Sequence, residues 1–137
     1  MKFYRGRLLD HVKVTVKNID HSKSFYRPII EALGHTISQE ENYSFCIDEL
    51  MVTESPQTTS QSLHLAFQAD SPAVVKLFYQ TALEHGGRCN GAPGERLYHQ
   101  GYYSAYVLDP DGNNIEAVYH GPLTRSAAYI ELAPPMR

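Results

Sequence analysis

Apolar and polar residues alternate in two separate stretches, HVKVTVK from His11 and LHLAFQ from Leu63. That period is the one of a half-buried β-strand. After each stretch the spacing becomes helical. In the first, Phe25, Ile29 and Leu33 recur at i, i+4 and i+8, with Tyr26 and Ile30 beside them. Asn18 or Asp20 can cap this helix, and Pro28 inside it predicts a kink or a short break. In the second, Asp70 is the predicted N-cap, Pro72 suits the first turn, and Val74, Leu77, Phe78 and Ala82 give the buried stripe. Gly34 and the pair Gly86-Gly87 stop the two helices. Shorter strands then follow, roughly over 35–39, 43–47 and 49–53, and again over 87–90, 102–108 and 113–119. The Asp109-Pro110-Asp111-Gly112 run predicts a tight turn between the last two. Residues 55–62 join the halves, residues 91–100 read as a mobile flap, and the tail from Gly121 has a short helix or strand around 126–132.

The two halves are copies. Displacing the chain by 53 positions superposes His11 on His64, Lys23 on Lys76 and Phe25-Tyr26 on Phe78-Tyr79. It also brings Glu31 onto Glu84 and Gly34 onto Gly87. A repeat at this spacing argues for one supersecondary unit used twice. The expected fold class is α+β, one domain over 1–137 made of two βαβββ modules at about 8–54 and about 62–120, plus the tail.

Strand parity singles out three residues. His11 lies on the face opposite Val12, Val14 and Val16; His64 lies opposite Leu63, Leu65 and Phe67; Glu116 lies opposite Ile115 and Ala117. In each strand the apolar face can pack on a helix while the ligand-type residue points the other way. Two imidazoles and one carboxylate suit Fe(II), Mn, Co, Ni or Zn with positions left open for substrate. One carboxylate also leaves the centre positive, fit to stabilise a bound oxyanion. Tyr102, Ser104 and Tyr106 share a face of the next-to-last strand and offer hydroxyls to the same cavity. Arg96, in the flap segment, and Arg125, in the tail, are candidate clamps for an anionic substrate group. His21, His35 and His85 sit at caps or helix ends and read as surface residues; His120 shares the parity of Glu116.

Composition narrows the class. The 137 residues carry a formal net charge of -3 with both signs scattered, so neither nucleic acid nor an anionic membrane is an expected partner. No stretch approaches a membrane span, and the basic N-terminus lacks an apolar run behind it, so a cytoplasmic location is expected. Cys46 and Cys89 form no CxxC pair and read as free thiols.

With these residues in view, the chain resembles the vicinal oxygen chelate superfamily, which includes glyoxalase I, bleomycin-resistance proteins, fosfomycin-resistance thiol transferases and extradiol dioxygenases. The likeness covers about residues 8 to 120 and is carried by the opening HVKVTVKNIDHSKSFYRPIIEALG, the mid-chain HLAF and the closing YVLDPDGNNIEAVYH. It implies paired βαβββ modules in a half-open mixed β-barrel with flanking helices, often a homodimer, and metal ligands at His11, His64 and Glu116. Extradiol dioxygenases are the most similar in the second half. By that likeness Tyr106 bonds the substrate oxygen, and His99 stands behind it. The likeness also calls for a further acid-base histidine, for which His85 is a candidate. A glyoxalase I-like lyase or isomerase would need a fourth, carboxylate ligand from ELMVTES, where Met51 takes the ligand-facing position and Glu49 or Glu54 would have to serve. A fosfomycin-type thiol transferase would need a cationic pocket, and a bleomycin-resistance-type protein would bind its ligand without metal. The expectation is therefore a divalent-metal enzyme (Fe2+, Mn2+ or Zn2+, with Ni2+ and Co2+ as alternatives) acting on a small oxygenated molecule.

Overall fold

The computed structural model describes residues 3–5 and 8–136. After a short strand β1 (Phe3–Arg5), the first unit runs β2 (Val12–Val16), α1 (Ile19–Ala32), β3 (Gln39–Glu40), β4 (Ser44–Ile47) and β5 (Leu50–Glu54). The second runs β6 (His64–Gln68), α2 (Pro72–Glu84), β7 (Arg88–Glu95), β8 (Tyr103–Leu108) and β9 (Asn114–Tyr119). β10 (Ile130–Leu132) returns to pair antiparallel with β1. The two four-stranded sheets have the same order, β2-β5-β4-β3 and β6-β9-β8-β7. In each, the first strand lies parallel to the last and the other neighbours are antiparallel. The repeat in the sequence is thus a repeat in topology. The architecture is α+β, and the two mixed sheets do not close into one barrel.

Local chemistry sets the element bounds. Asn18 caps α1, its side chain accepting from the His21 amide at 3.0 Å. The Glu54 carboxylate also accepts from the Ile19 amide at 2.9 Å, which places a negative charge at the positive end of the helix. The expected break at Pro28 does not occur, and α1 runs through it. Proline removes only its own N–H from the ladder, and the burial of Phe25, Tyr26, Ile29 and Ile30 on either side of it outweighs that loss. Ser71, not Asp70, caps α2 and accepts from the Val74 amide at 3.2 Å. Pro72 takes the first helical position, so the cap must be its immediate neighbour. Residues 91–95, expected in a flap, extend β7 along β8 with register shifts around Gly91.

One core joins the modules. Val14, Phe25, Ile29, Phe45 and Val52 from the first and Val75, Phe78, Val107, Ile115 and Ala117 from the second are all buried in a single cluster. α1 packs on α2, and α2 crosses β7, β8 and β9. Gly87 lies at this seam, where a Cβ would come within 2.7 Å of the Ala82 carbonyl and 2.8 Å of the Phe25 ring. Gly87→Ala is therefore expected to cost about 1–3 kcal/mol through overpacking, read as a lower urea midpoint at unchanged m-value.

Candidate active site

The strands order the site. β6 and β9 run side by side with His64 opposite Asn114 and Ala66 opposite Glu116. β8 flanks β9 with Tyr106 opposite Glu116. Ile115 and Ala117 face the core, so Glu116 turns to the other side of the sheet. There His64, Tyr98, Tyr102, Tyr106, Asn114 and Glu116 line a cavity of about 510 Å³. Every one of these residues belongs to the second module.

Glu116 is the centre of the wall. It is 2% exposed, and a buried carboxylate requires partners. His64 Nε2 lies 3.0 Å from its Oε1, and the Tyr102 hydroxyl donates to its Oε2 at 2.5 Å. Burial, and then the Glu116 carboxylate beside it, push the Tyr102 phenol well above the ordinary tyrosine value. Tyr102 therefore stays protonated and acts as a donor. His64 is fixed from its other side, with Asn114 Nδ2 2.9 Å from Nδ1 and the Asn90 amide donating to Asn114 Oδ1 at 3.0 Å.

A second layer stands behind Tyr102. His99 Nε2 lies 2.9 Å from His120 Nδ1, and the His99 ring meets Tyr102 edge-on at 5.3 Å. His99 Nδ1 donates to the Gln100 carbonyl at 2.9 Å, which leaves Nε2 as the acceptor in the neutral ring. Tyr106 is held by Arg96, whose guanidinium lies 5.3 Å from the ring centroid, and by Gly91, where a Cβ would approach the ring to 2.8 Å. Arg96 also donates to the Ala92 carbonyl at 2.7 Å, so it braces β7 and Tyr106 and does not line the cavity.

The other residues singled out by sequence lie elsewhere. His11 is exposed and pairs with Asp10 at 2.7 Å. Among the described residues no group of three or more His, Cys, Asp and Glu comes together, so one chain does not gather His11, His64 and Glu116. Strand parity sets which face a residue takes, but it says nothing about the distance between sheets. Ser104 is buried, its hydroxyl without a hydrogen-bond partner among the described residues, and it does not line the cavity. Arg125 donates to the Ala128 carbonyl within the tail. His85 bonds the Thr81 carbonyl at the end of α2. Glu54 is committed to capping α1, which leaves it unsuited to serve as a fourth ligand. Asn114 was absent from the sequence-based candidates, although it shares the parity of Glu116 two residues away. Asn90 and Tyr98 carry no such signal.

The family model described as the Glyoxalase/Bleomycin resistance protein/Dioxygenase superfamily matches residues 8–117. The chain belongs to this superfamily. A glyoxalase/bleomycin resistance protein from Albidiferax ferrireducens is 27% identical to this member, with a TM-score of 0.72 over 82% of this chain and 98% of that one. A superfamily enzyme from Burkholderia phytofirmans is 20% identical, with a TM-score of 0.64 over 80% and 95% of the two chains. The oxidase ChaP-H2 is 21% identical, with a TM-score of 0.57 over 82% and 92%. At those lower identities the likeness is one of fold. No curated protein matches this superfamily member. None of its helices, among the described residues, is long and apolar enough to cross a membrane.

The donors present could supply two ligands to a cation. An imidazole nitrogen and a carboxylate oxygen 3.0 Å apart can take adjacent positions around one cation with bonds of about 2.0–2.2 Å. A third protein ligand to a cation held there would have to come from outside this wall.

Proposed function

We propose that the protein is a divalent-metal enzyme acting on a small, planar, oxygen-bearing aromatic molecule, with extradiol-dioxygenase-like chemistry as the leading reaction. The observation that carries this reading is the meeting of His64 and Glu116 at 3.0 Å on the wall of a cavity that also bears three tyrosines. His11 completes the ligand set from a second copy of the chain. It holds the place in the first module that His64 holds in the second, and the cavity is walled by one module only. A homodimer in which each first module roofs the second module of its partner would supply the missing imidazole twice.

A divalent cation bound there would supply a Lewis-acidic centre for two neighbouring substrate oxygens and, as Fe(II), a centre for dioxygen chemistry. The chain's own residues do the rest. Tyr102 holds Glu116 by its outer oxygen and keeps its own proton. Tyr106, stiffened by Arg96, offers a hydroxyl to a substrate oxygen. Tyr98 and Tyr106 offer aromatic faces for a flat ring. The cavity wall contains neither Lys nor Arg, which favours a neutral aromatic over a phosphonate. The commitment of Glu54 to α1 counts against a glyoxalase I-like ligand set. A metal-free binding protein is the second reading, favoured by the way His64 and Glu116 satisfy each other.

Anaerobic purification followed by metal analysis and oxygen uptake with a panel of catechols separates the two. About one metal per chain and oxygen uptake are expected. Metal-free protein that binds the same catechols without turnover sinks the enzyme reading.

A further inference from the structure

The cavity beside His64 and Glu116 is larger than one ring needs. A cavity of about 150 Å³ holds benzene, whereas this one measures about 510 Å³. A ring whose oxygens sit at Glu116 therefore leaves space for a substituent. Half of the lining residues are tyrosines. Tyr98 and Tyr102 lie with ring centroids 4.9 Å apart and planes inclined at 60°, which makes a corner with two aromatic sides. The corner is held in place where the His99 and His120 rings meet Tyr102 edge-on at 5.3 and 5.1 Å. Glu116 is the one carboxylate in the wall, and neither Lys nor Arg lines it.

We propose that the substrate carries a positively charged amine on a short side chain, and that the Tyr98–Tyr102 corner binds this amine while the ring lies against Tyr106. This rests on the aromatic-substrate reading given above and adds the charge of the group remote from the reacting oxygens. The face of an aromatic ring is its negative pole and attracts an ammonium within about 6 Å of the centroid. Two ring faces inclined to each other can both touch one ammonium group. Tyr102 donates to Glu116 Oε2 at 2.5 Å, and a phenol bonded to a carboxylate is polarised so that its ring face gains electron density. Tyr106 is the poorer place for the amine, because the Arg96 guanidinium already lies 5.3 Å from its centroid. An anionic side chain would meet the ring faces and the Glu116 charge with no cation in the wall to offset them. The formal net charge of -3 favours the approach of a cation as well.

Three catechols that differ only at the end of one short side chain test the assignment: one ends in an ethylammonium, one in an ethyl and one in a carboxymethyl group. Calorimetry under argon, on the protein as purified and again after chelation, gives their affinities without ring cleavage. The ethylammonium compound is expected to bind about 5- to 30-fold tighter than the ethyl compound, and the carboxymethyl compound weakest of the three. Tyr98→Leu is expected to bring the cationic and neutral compounds within about 2-fold of each other, while Tyr98→Phe, which keeps the ring, keeps the preference. Tyr98 is 74% exposed, so neither substitution disturbs the core. Equal binding of the ethylammonium and ethyl compounds to wild type, or a full preference surviving in Tyr98→Leu, overturns the proposal. Absence of binding by all three overturns it together with the aromatic-substrate reading. A metal-free protein that keeps the cationic preference sinks the enzyme and leaves the amine site standing. A metal-loaded enzyme that takes up oxygen with all three compounds, and binds them alike, overturns the amine site alone.

Discussion

Mixing a His11→Ala chain with a Glu116→Gln chain is expected to restore cation binding that neither variant has alone. Each variant by itself loses one ligand from every site, so metal content should fall from about one per chain to background. In a mixed dimer one site carries both substitutions, while the other draws an intact His11 from one chain and an intact Glu116 from its partner. Equal mixing with random exchange therefore returns about one site in four. The expectation follows from two observations. The cavity wall is built by the second module alone, and His11 is exposed and pairs, among the described residues, with Asp10. Metal analysis after unfolding and refolding the two chains together gives the answer. No recovery, with dimers present by light scattering, removes the shared site. Full metal content in His11→Ala alone would show that His64 and Glu116 need no help from the first module.

Asp109→Ala should be the most damaging single change outside the cavity. The Asp109 carboxylate is buried in the turn between β8 and β9 and accepts from the Tyr26 hydroxyl at 2.6 Å. It also accepts from the Asp111 and Asn113 amides at 2.9 and 2.8 Å. Tyr26 is on α1, so this bond ties the first module to the second. Removing the carboxylate leaves a buried hydroxyl and two backbone donors unpaired, at a cost of about 3–5 kcal/mol. Tyr26→Phe should cost less, about 1.5–3 kcal/mol, as one bond to a charged group. Burial, and then Asp109, push the Tyr26 phenol well above its ordinary value. A tyrosine pKa raised by folding adds stability that is fully present below the unfolded value of about 10 and is lost as pH rises toward the folded one. Wild type should thus lose stability above pH 10 more steeply than Tyr26→Phe. Urea midpoints at pH 7 to 11 would show it, and parallel curves for the two proteins would deny Tyr26 that role.

Much of this was legible in the chain because it is written in short periods. Strand alternation set His64 and Glu116 on the outward faces of β6 and β9, and the 53-residue displacement revealed the two modules before any topology was known. Legibility stopped where distance depends on how sheets are placed. The shared parity of His11 with His64 carries no information about the gap between their sheets. The charge of Arg96 marks it as a clamp in the sequence, but its guanidinium stacks over the Tyr106 ring and bonds the Ala92 carbonyl, contacts set by the path of β7. Pro28 shows propensity losing to burial. Tyr102 was legible as a cavity hydroxyl, whereas its bond to Glu116 depends on how the chain turns ahead of β8.

The pairing of Phe3–Arg5 with Ile130–Leu132 brings the path of the polypeptide almost full circle. In a closed path, which module comes first is decided only by where the ring is opened. Opening it between β5 and β6 instead, with the old ends bridged along the ribbon, would reverse the order of the two halves and leave each one's internal wiring untouched.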